Sequence, residues 1–202
     1  TRIRKALVHM SGTEISYEDK HKITIKVLLD KSKVDIIQII YRISLIIDSS
    51  ISNMLEGLSI DEIRINESEI DRLYHLTAKI ISLSLIDSAI LQSSKILNVS
   101  TVPSYFLISK KLENIADNLM AICEHISRKT EFFENKKEIL NFIQNELSRS
   151  INYIIGSQNK IFEKTMDNNL ISINRLVLKI KDKLISNYLE DMVRYVIDIE
   201  EE

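Results

Sequence analysis

The sequence has few of the residues that make turns and covalent cross-links. Its 202 residues include three glycines, one proline, one cysteine and no tryptophan. A sheet protein of this length needs many turns, and turns depend on glycine and proline, so the composition favours a chain of long helices. The one thiol, Cys123, excludes an internal disulfide and fits a reducing compartment.

The sequence also lacks a block of one charge and a long apolar run. Its net charge is −2, with acidic and basic residues interspersed, which gives no indication of nucleic-acid binding by this part of the protein. The longest run without a charged residue, residues 96–109, is shorter than the roughly 20 residues that a membrane-spanning helix requires. The charged start, residues 1–5, has no apolar signal-peptide core. We therefore expect a cytoplasmic protein without membrane insertion.

Apolar residues make up 45% of the chain and recur in steps of three and four along most of it. This spacing is typical of amphipathic helices, and long helices with short connections favour an all-α antiparallel bundle. The predicted helices lie at about residues 31–57, 59–97, 103–130, 135–164 and 170–200. The stripe of the first helix contains Ile36, Ile40, Ile43, Ile47, Ile51, Met54 and Leu58. The stripe of the third helix contains Ile108, Leu112, Ile115, Leu119, Ile122 and Ile126.

Short polar side chains and the single proline set the predicted helix ends. Asp30 or Ser32 can cap the first helix, because such a side chain accepts a bond from a first-turn amide, and Gly57 lies near its end. Pro103 suits the first turn of the third helix. No glycine or proline interrupts residues 170–200, so this segment is either one helix or two with a turn at 181–183. Read as continuous, its stripe contains Ile173, Leu176, Ile180, Leu184, Tyr188, Met192 and Tyr195.

Residues 1–30 differ from the rest of the chain. Residues 1–10 predict one or two helical turns, which Gly12 then breaks. Residues 14–17 and 22–27 alternate apolar and polar side chains and are separated by a short polar connection. This pattern predicts a β-hairpin, which needs a neighbour to pack against because an isolated hairpin is marginal in water.

Two pairs of carboxylates recur at a spacing of four residues: Glu67 with Asp71, and Glu113 with Asp117. Residues four apart share one face of a helix, where two like charges repel. A hard cation offsets such repulsion, because carboxylate oxygens are its preferred ligands. At about 100° per residue, Glu113 and Asp117 point away from the apolar stripe of their helix, whereas Glu67 and Asp71 lie at the flank of theirs. A metal would therefore sit at the surface or edge of the bundle.

The alternative interpretation of these carboxylates is a solvated acidic face. Lys111 and Arg72 are close enough in sequence to soften the repulsion within the two pairs. Spacing alone does not decide between a metal site and such a face.

The residues around both pairs resemble a known family. Residues 112–118, Leu-Glu-Asn-Ile-Ala-Asp-Asn, resemble the Leu-Glu-Arg-Ile-(Gly/Ala)-Asp-His signature of PhoU, the phosphate-uptake regulator family. Residues 69–74 resemble the matching signature on the preceding helix in archaeal-type PhoU proteins. Residues 5–30 resemble the connector of those proteins, where it follows an AbrB-like DNA-binding domain that is missing here. The first residue, Thr1, leaves room for a longer natural chain.

The resemblance implies a connector at 1–30 and two three-helix repeats at 31–131 and 132–202. Residues 68–73 align with 171–176, and residues 112–124 align with 189–201, which favours a turn inside 170–200. The resemblance also implies a non-enzymatic homodimer that regulates phosphate uptake. It would act through the phosphate ABC transporter, a signalling partner, or DNA bound by the missing domain.

The resemblance further implies a metal ion of the iron, zinc or magnesium class. In the first repeat its ligands would be Glu67, Asp71, Glu113 and Asp117, although Asn118 stands where the family often has histidine. In the second repeat the matching positions hold Leu170, Asn174, Glu190 and Arg194. An apolar residue, an amide and a cation cannot assemble a hard-cation site, so we expect at most one site per chain.

Other residues offer weaker candidates. His75 lies four residues after Asp71, His125 is expected at the surface, and Cys123 is expected to be a packed thiol. No His-Glu-x-x-His motif, and no Glu-x-x-His motif on a predicted helix, supports a zinc or di-iron enzyme. The alternative function is a generic helical adaptor or dimerisation module without a metal or phosphate role.

Overall fold

The computed structural model describes residues 13–18, 22–27, 35–57, 60–94, 96, 98–127, 135–156 and 167–201. Some predictions fall on other residues and lie outside the described part of the chain. They are the helical turns at 1–10, the polar connection at 19–21 and the end of the fourth helix at 157–164.

Two short strands precede the helices. Strand β1, Thr13–Glu18, pairs in antiparallel fashion with β2, Ile23–Val27, so that Thr13 lies opposite Val27 and Glu18 opposite Ile23. An irregularity in the pairing lies between Ile15 and Tyr17. Because residues 19–21 are outside the described ranges, the hairpin as a whole stays a prediction.

The described residues otherwise form helices, which confirms the all-α class. The seven α-helices of the described ranges are α1 Ile36–Glu56, α2 Ile60–Ser84, α3 Ser88–Ser93, α4 Val102–Ser127, α5 Lys136–Gly156, α6 Asp167–Leu178 and α7 Lys183–Glu201. A short 3₁₀ turn, Val99–Thr101, leads into α4. None of the described helices is long and apolar enough to cross a membrane.

The two ends of α1 follow from local chemistry. Asp35, not the predicted Asp30 or Ser32, caps the helix, because its Oδ1 accepts hydrogen bonds from the amides of Ile37 at 3.0 Å and Gln38 at 3.2 Å. Gly57 ends α1 with a φ of 76°, a left-handed conformation that glycine adopts without a steric penalty. The predicted end at Gly57 is confirmed.

The second helix is shorter than predicted. It ends at Ser84 instead of near residue 97, and a separate short helix, α3, follows. Asp87 caps α3 by accepting a hydrogen bond from the amide of Ala89 at 3.1 Å. Leu85 and Ile86, which the predicted continuous helix contains, lie in the turn and are largely exposed. The apolar residues on both sides of this turn fit one continuous helix by composition. The Asp87 carboxylate, however, accepts a hydrogen bond from a first-turn amide and so begins a new helix, α3.

Residues 167–201 form two helices, α6 and α7, separated by a turn. Asp182 caps α7 by accepting a hydrogen bond from the amide of Leu184 at 3.1 Å. Of the two alternatives left open for this segment, two helices with a turn near 181–183 is the one observed. The turn resets the helical phase, so Leu184 of the continuous stripe is exposed. Helix α7 instead buries Ile185, Leu189, Met192, Val193, Val196 and Ile199.

Six of the described helices pack as two groups of three. Helices α1, α2 and α4 each pack against the other two, and so do α5, α6 and α7. The groups meet where α4 packs against α7 and α1 against α5. Helices α4 and α7 run in opposite directions, since Lys111 lies near Asp198 while His125 lies near Asp182.

The predicted apolar stripes of α1 and α4 lie in the core. The buried members are Ile36, Ile40, Ile43, Ile47, Ile51 and Met54 of α1 and Ile108, Leu112, Ile115, Leu119 and Ile122 of α4. Each such side chain contributes about 1.5–3 kcal/mol by burial. Because α4 packs against three helices, it also buries residues beside its stripe, namely Ser109, Glu113, Ala116 and Cys123.

Candidate metal centre

The candidate site lies where α2 and α4 pack against each other. Ile63 and Ile70 of α2 are buried, and Glu67 falls between them at the flank of that stripe, as predicted from its spacing. Glu67 and Asp71 are both half-buried. On α4, Asp117 remains exposed although its neighbour Ala116 is buried. The packing of the two apolar stripes therefore brings carboxylates from both helices to one edge.

Three of the four predicted ligands meet at this edge. One carboxylate oxygen from each of Glu67, Asp71 and Asp117 lies within 4.8 Å of the others. We call these three residues the carboxylate cluster. Glu67 and Asp71 come from α2 and Asp117 comes from α4, so the cluster depends on the packing of residues far apart in sequence.

Glu113 is placed differently from the prediction. Its side chain points inward and the residue is only 8% exposed, because α4 is covered on more than one face. The Lys110 ammonium donates a hydrogen bond to the Glu113 carboxylate in a half-buried ion pair. The same ammonium lies 5.1 Å from the centre of the Tyr74 ring. The expectation that Glu113 points away from the core is wrong, and its role as a metal ligand stays a prediction.

Burial and crowding of negative charge raise the pKa values of two carboxylates of the cluster. Partial burial, and then the charges of Glu113, Asp71 and Glu67, raise the pKa of Asp117 to about 6, although Lys110 opposes this. Burial and the charge of Asp71 also raise the pKa of Glu67, while a hydrogen bond from Ser68 lowers it. The cluster thus holds unfavourable negative charge that a proton or a cation relieves.

The donor set fits a hard divalent cation. Three carboxylate oxygens suit Mg²⁺, Mn²⁺ or Ca²⁺, whereas structural zinc sites generally use nitrogen and sulfur ligands. Opposite ligands of a bound ion lie about 4.2 Å apart for Mg²⁺ and about 4.8 Å apart for Ca²⁺. The oxygen separations of at most 4.8 Å fit Ca²⁺ directly, and Mg²⁺ would need separations of about 4.2 Å or less. Water molecules would complete the coordination shell, as is usual for Mg²⁺.

The matching positions of α6 and α7 carry no such cluster. Asn174, Glu190 and Arg194 are exposed and Leu170 is half-buried. Arg194 places a cation at the position that corresponds to Asp117, and its Nη2 lies 2.6 Å from Asp191 Oδ1. Within the described part of the chain, Glu67, Asp71 and Asp117 form the single group of acidic, histidine or cysteine side chains suited to a metal.

The surroundings of the weaker candidates, His75, His125 and Cys123, indicate structural roles. His75 is exposed and its ring centre lies 5.3 Å from that of Tyr74, outside the cluster. His125 is half-buried, with its Nε2 2.8 Å from Asp182 Oδ2 at the start of α7. Cys123 is buried, as expected of a packed thiol, and burial raises its pKa to about 11. The thiol is therefore protonated at neutral pH and a poor nucleophile.

The two cations near the cluster in sequence, Arg72 and Lys111, contact residues outside it. Arg72 Nη2 lies 2.6 Å from Glu69 Oε2, and Arg42 Nη2 of α1 lies 2.8 Å from Glu69 Oε1. Lys111 Nζ reaches Asp198 of α7, at 3.3 Å from its carbonyl oxygen. The cation that balances the buried carboxylate is Lys110, which sequence reasoning missed. Its position three residues before Glu113 was the available signal.

Comparison of the chain with protein-family models, curated proteins and solved structures gives no match. The class of the protein is therefore defined by its fold alone, which is an all-α helical bundle.

Replacement of Asp117 by asparagine is expected to stabilise the metal-free protein at pH 7–8 by about 1 kcal/mol, a figure reduced for solvent screening of this exposed group. The folded pKa of about 6 exceeds the ordinary 3.8, so the folded state binds more protons and stability falls as pH rises between these values. The gain should therefore disappear near pH 4. Urea unfolding across this range measures it, with Glu190→Gln as the control. An equal gain at pH 4 and pH 8 would show that the gain does not come from the raised pKa of Asp117.

Proposed function

We propose that this chain is a PhoU-like regulator of phosphate uptake and phosphate signalling that binds one metal ion in its first half. One observation carries the proposal. The two stretches that resemble PhoU signatures, residues 69–74 and 112–118, lie on helices that pack together, α2 and α4. One carboxylate oxygen from each stretch, of Asp71 and of Asp117, lies within 4.8 Å of the other, and an oxygen of Glu67 lies equally close to both.

The arrangement of helices supports the proposed two-repeat organisation. Helices α1, α2 and α4 fall within 31–131, and α5, α6 and α7 fall within 132–202. Each set packs as a group of three, and the turn before Lys183 lies where the internal alignment of 112–124 with 189–201 places it. We assign the first group to an intact repeat and the second to a degenerate one.

The loss of ligands in the second group supports a single metal site per chain. Asn174 and Arg194 occupy the positions of Asp71 and Asp117, and the ion pair of Arg194 with Asp191 supplies the charge balance there. A metal bound to the carboxylate cluster would supply that balance in the first group. In this proposal the metal, expected to be of the iron, zinc or magnesium class, is a hard divalent cation and has a structural or sensing role without catalysis.

The proposed regulator acts by binding other proteins. The partners in this proposal are a second copy of the chain and the phosphate ABC transporter or a signalling protein. Contact with DNA would require a further N-terminal domain. Neither catalytic chemistry nor a nucleophile is needed for this role.

Deletion of the gene tests the proposal. The expected result is phosphate uptake that is no longer reduced when phosphate is abundant, because the regulator that limits uptake is missing. Uptake of radiolabelled phosphate at high and low phosphate measures this, with the wild-type gene restored as one control. A second control gene carries Glu190→Gln and Asp191→Asn, which leave the carboxylate cluster intact and should restore regulation. Unchanged uptake in the deletion strain would favour the generic helical adaptor.

A further inference from the structure

The junction of α6 and α7 exposes cations together with large apolar side chains. Arg175, Lys179, Lys181 and Lys183 are all exposed. Leu178, at the end of α6, is 75% exposed, and Leu184, in the first turn of α7, is 43% exposed. We call these six residues the α6–α7 corner.

The corner is basic in a chain that is acidic overall. The net charge of the whole sequence is −2, yet residues 168–189 contain these four cations and a single acidic residue, Asp182. The Asp182 carboxylate is engaged on the inner side of the turn, where it caps α7 and lies 2.8 Å from His125 Nε2. Both oxygens of this carboxylate are therefore engaged within the fold.

The cations of the corner are available to a partner. None of the four makes an ion pair within the described residues. Other exposed arginines of the molecule do pair, as Arg42 does with Glu69 and Arg194 with Asp191. The four cations and the two exposed leucines together form a surface that combines positive charge with apolar area.

The backbone of the corner is held in place. Ile180, between the exposed lysines, packs against the hydrophobic core. The Ser186 hydroxyl of α7 donates a hydrogen bond to the carbonyl oxygen of Val177 in α6 at 3.0 Å. Because the inner side is fixed by Ile180, Asp182 and Ser186, the cations and leucines are presented outward without an ordering step, which lowers the entropic cost of binding.

We propose that the α6–α7 corner docks on the surface of an anionic lipid membrane. Clusters of about four to eight lysines and arginines are attracted to anionic headgroups. Exposed leucines beside such cations enter the boundary between headgroups and acyl chains. Charge complementarity selects this partner over a neutral apolar surface. The docking is peripheral, and it goes beyond the proposed phosphate role because it does not involve the carboxylate cluster.

Vesicle flotation with the full chain tests this proposal. We expect binding to phosphatidylcholine vesicles that contain about a third phosphatidylglycerol, and little binding to pure phosphatidylcholine. Raising the salt from about 0.1 M to about 1 M should release the protein, since the screening length falls from about 10 Å to about 3 Å. The variant Lys181→Gln plus Lys183→Gln should bind roughly 25-fold more weakly, at about fivefold per lysine. Leu178→Ser should weaken binding about tenfold.

Matched controls lie at the other end of the bundle. Arg64 of α2 lies 3.5 Å from Glu124, next to His125 and hence on the side of the corner. At about 1.5 Å per residue, Lys79 is roughly 22 Å further along α2. Lys79→Gln and Ile86→Ser should therefore bind anionic vesicles like the wild type. Thermal unfolding confirms that each variant folds.

Several outcomes would overturn the lipid proposal. They are no binding of the wild type to anionic vesicles, equal binding to neutral and anionic vesicles, and equal binding by the double lysine variant. Binding to an acidic peptide without binding to vesicles would also overturn it and would assign the corner to a protein partner. None of these outcomes bears on phosphate uptake, so the two proposals fail separately.

Discussion

Replacement of Lys110 by methionine is expected to destabilise the protein by about 2 kcal/mol at pH 7. The substitution keeps most of the side-chain volume but removes the ammonium that binds the inward-facing Glu113 carboxylate. Loss of one partner of a buried ion pair costs about 3–5 kcal/mol, and the lower figure reflects the partial exposure of Lys110. Urea unfolding with a two-state fit measures the change.

A double substitution separates loss of charge balance from loss of packing. Lys110→Met combined with Glu113→Gln should recover at least half of the lost stability, because the amide has no charge to balance. Lys79→Met, at an α2 position with no such carboxylate, should change stability by less than about 0.5 kcal/mol. If Lys110→Met is neutral, or if the double variant is less stable than Lys110→Met alone, the Lys110–Glu113 pair does not hold α4 as described.

A divalent cation is expected to raise the stability of the wild type by about 2.7 kcal/mol when its concentration is about 100 times its dissociation constant. For a chain of this size, that corresponds to a rise of about 5–10 °C in the unfolding temperature. The physical reason is that the ion binds the converged oxygens of Glu67, Asp71 and Asp117 only in the folded state. Thermal unfolding of chelator-treated protein, titrated with Mg²⁺, Mn²⁺ and Ca²⁺, measures the effect.

The variant Asp71→Asn plus Asp117→Asn should differ from the wild type both without and with metal. Without metal it should be more stable than the wild type, because two charges of a repelling group are removed. With metal its unfolding temperature should not rise. The matched control, Glu190→Gln plus Asp191→Asn, removes two charges from the second group and should keep the metal response. An equal cation effect in both double variants would place the binding elsewhere on the surface.

Much of the fold could be predicted from the sequence, because local rules agree with the final packing. The steps of three and four from Ile36 to Met54 form one buried face of α1, and Gly57 ends that helix in the conformation that glycine favours. The flank position of Glu67 and Asp71 on α2 likewise follows from helical spacing.

The helix ends inside apolar runs could not be predicted with the same success. Asp87 and Asp182 each cap a helix, although apolar residues continue on both sides of them. Periodicity counts apolar residues and does not show that a backbone amide has found a side-chain acceptor. The missed cap at Asp182 also shifted the predicted buried face of α7.

The environment of Glu113 depends on tertiary packing. An isolated amphipathic helix would expose this residue, since it lies off the main stripe of α4. Helix α4 packs against α1, α2 and α7 at once, so a second face is buried and Lys110 becomes the counter-charge of Glu113. Sequence spacing gave the carboxylate pairs, but the three-residue cluster required knowledge of which helices meet.

The number of metal ions bound per chain distinguishes a single site from none or two. The measurement is elemental analysis of the protein purified without chelator, and again after removal of metal and exposure to divalent cations. We expect about one ion per wild-type chain and none in Asp71→Asn plus Asp117→Asn. We also expect one ion in Glu190→Gln plus Asp191→Asn. An absence of metal from the wild type, two ions per chain, or equal metal in both double variants would contradict a single site at the carboxylate cluster.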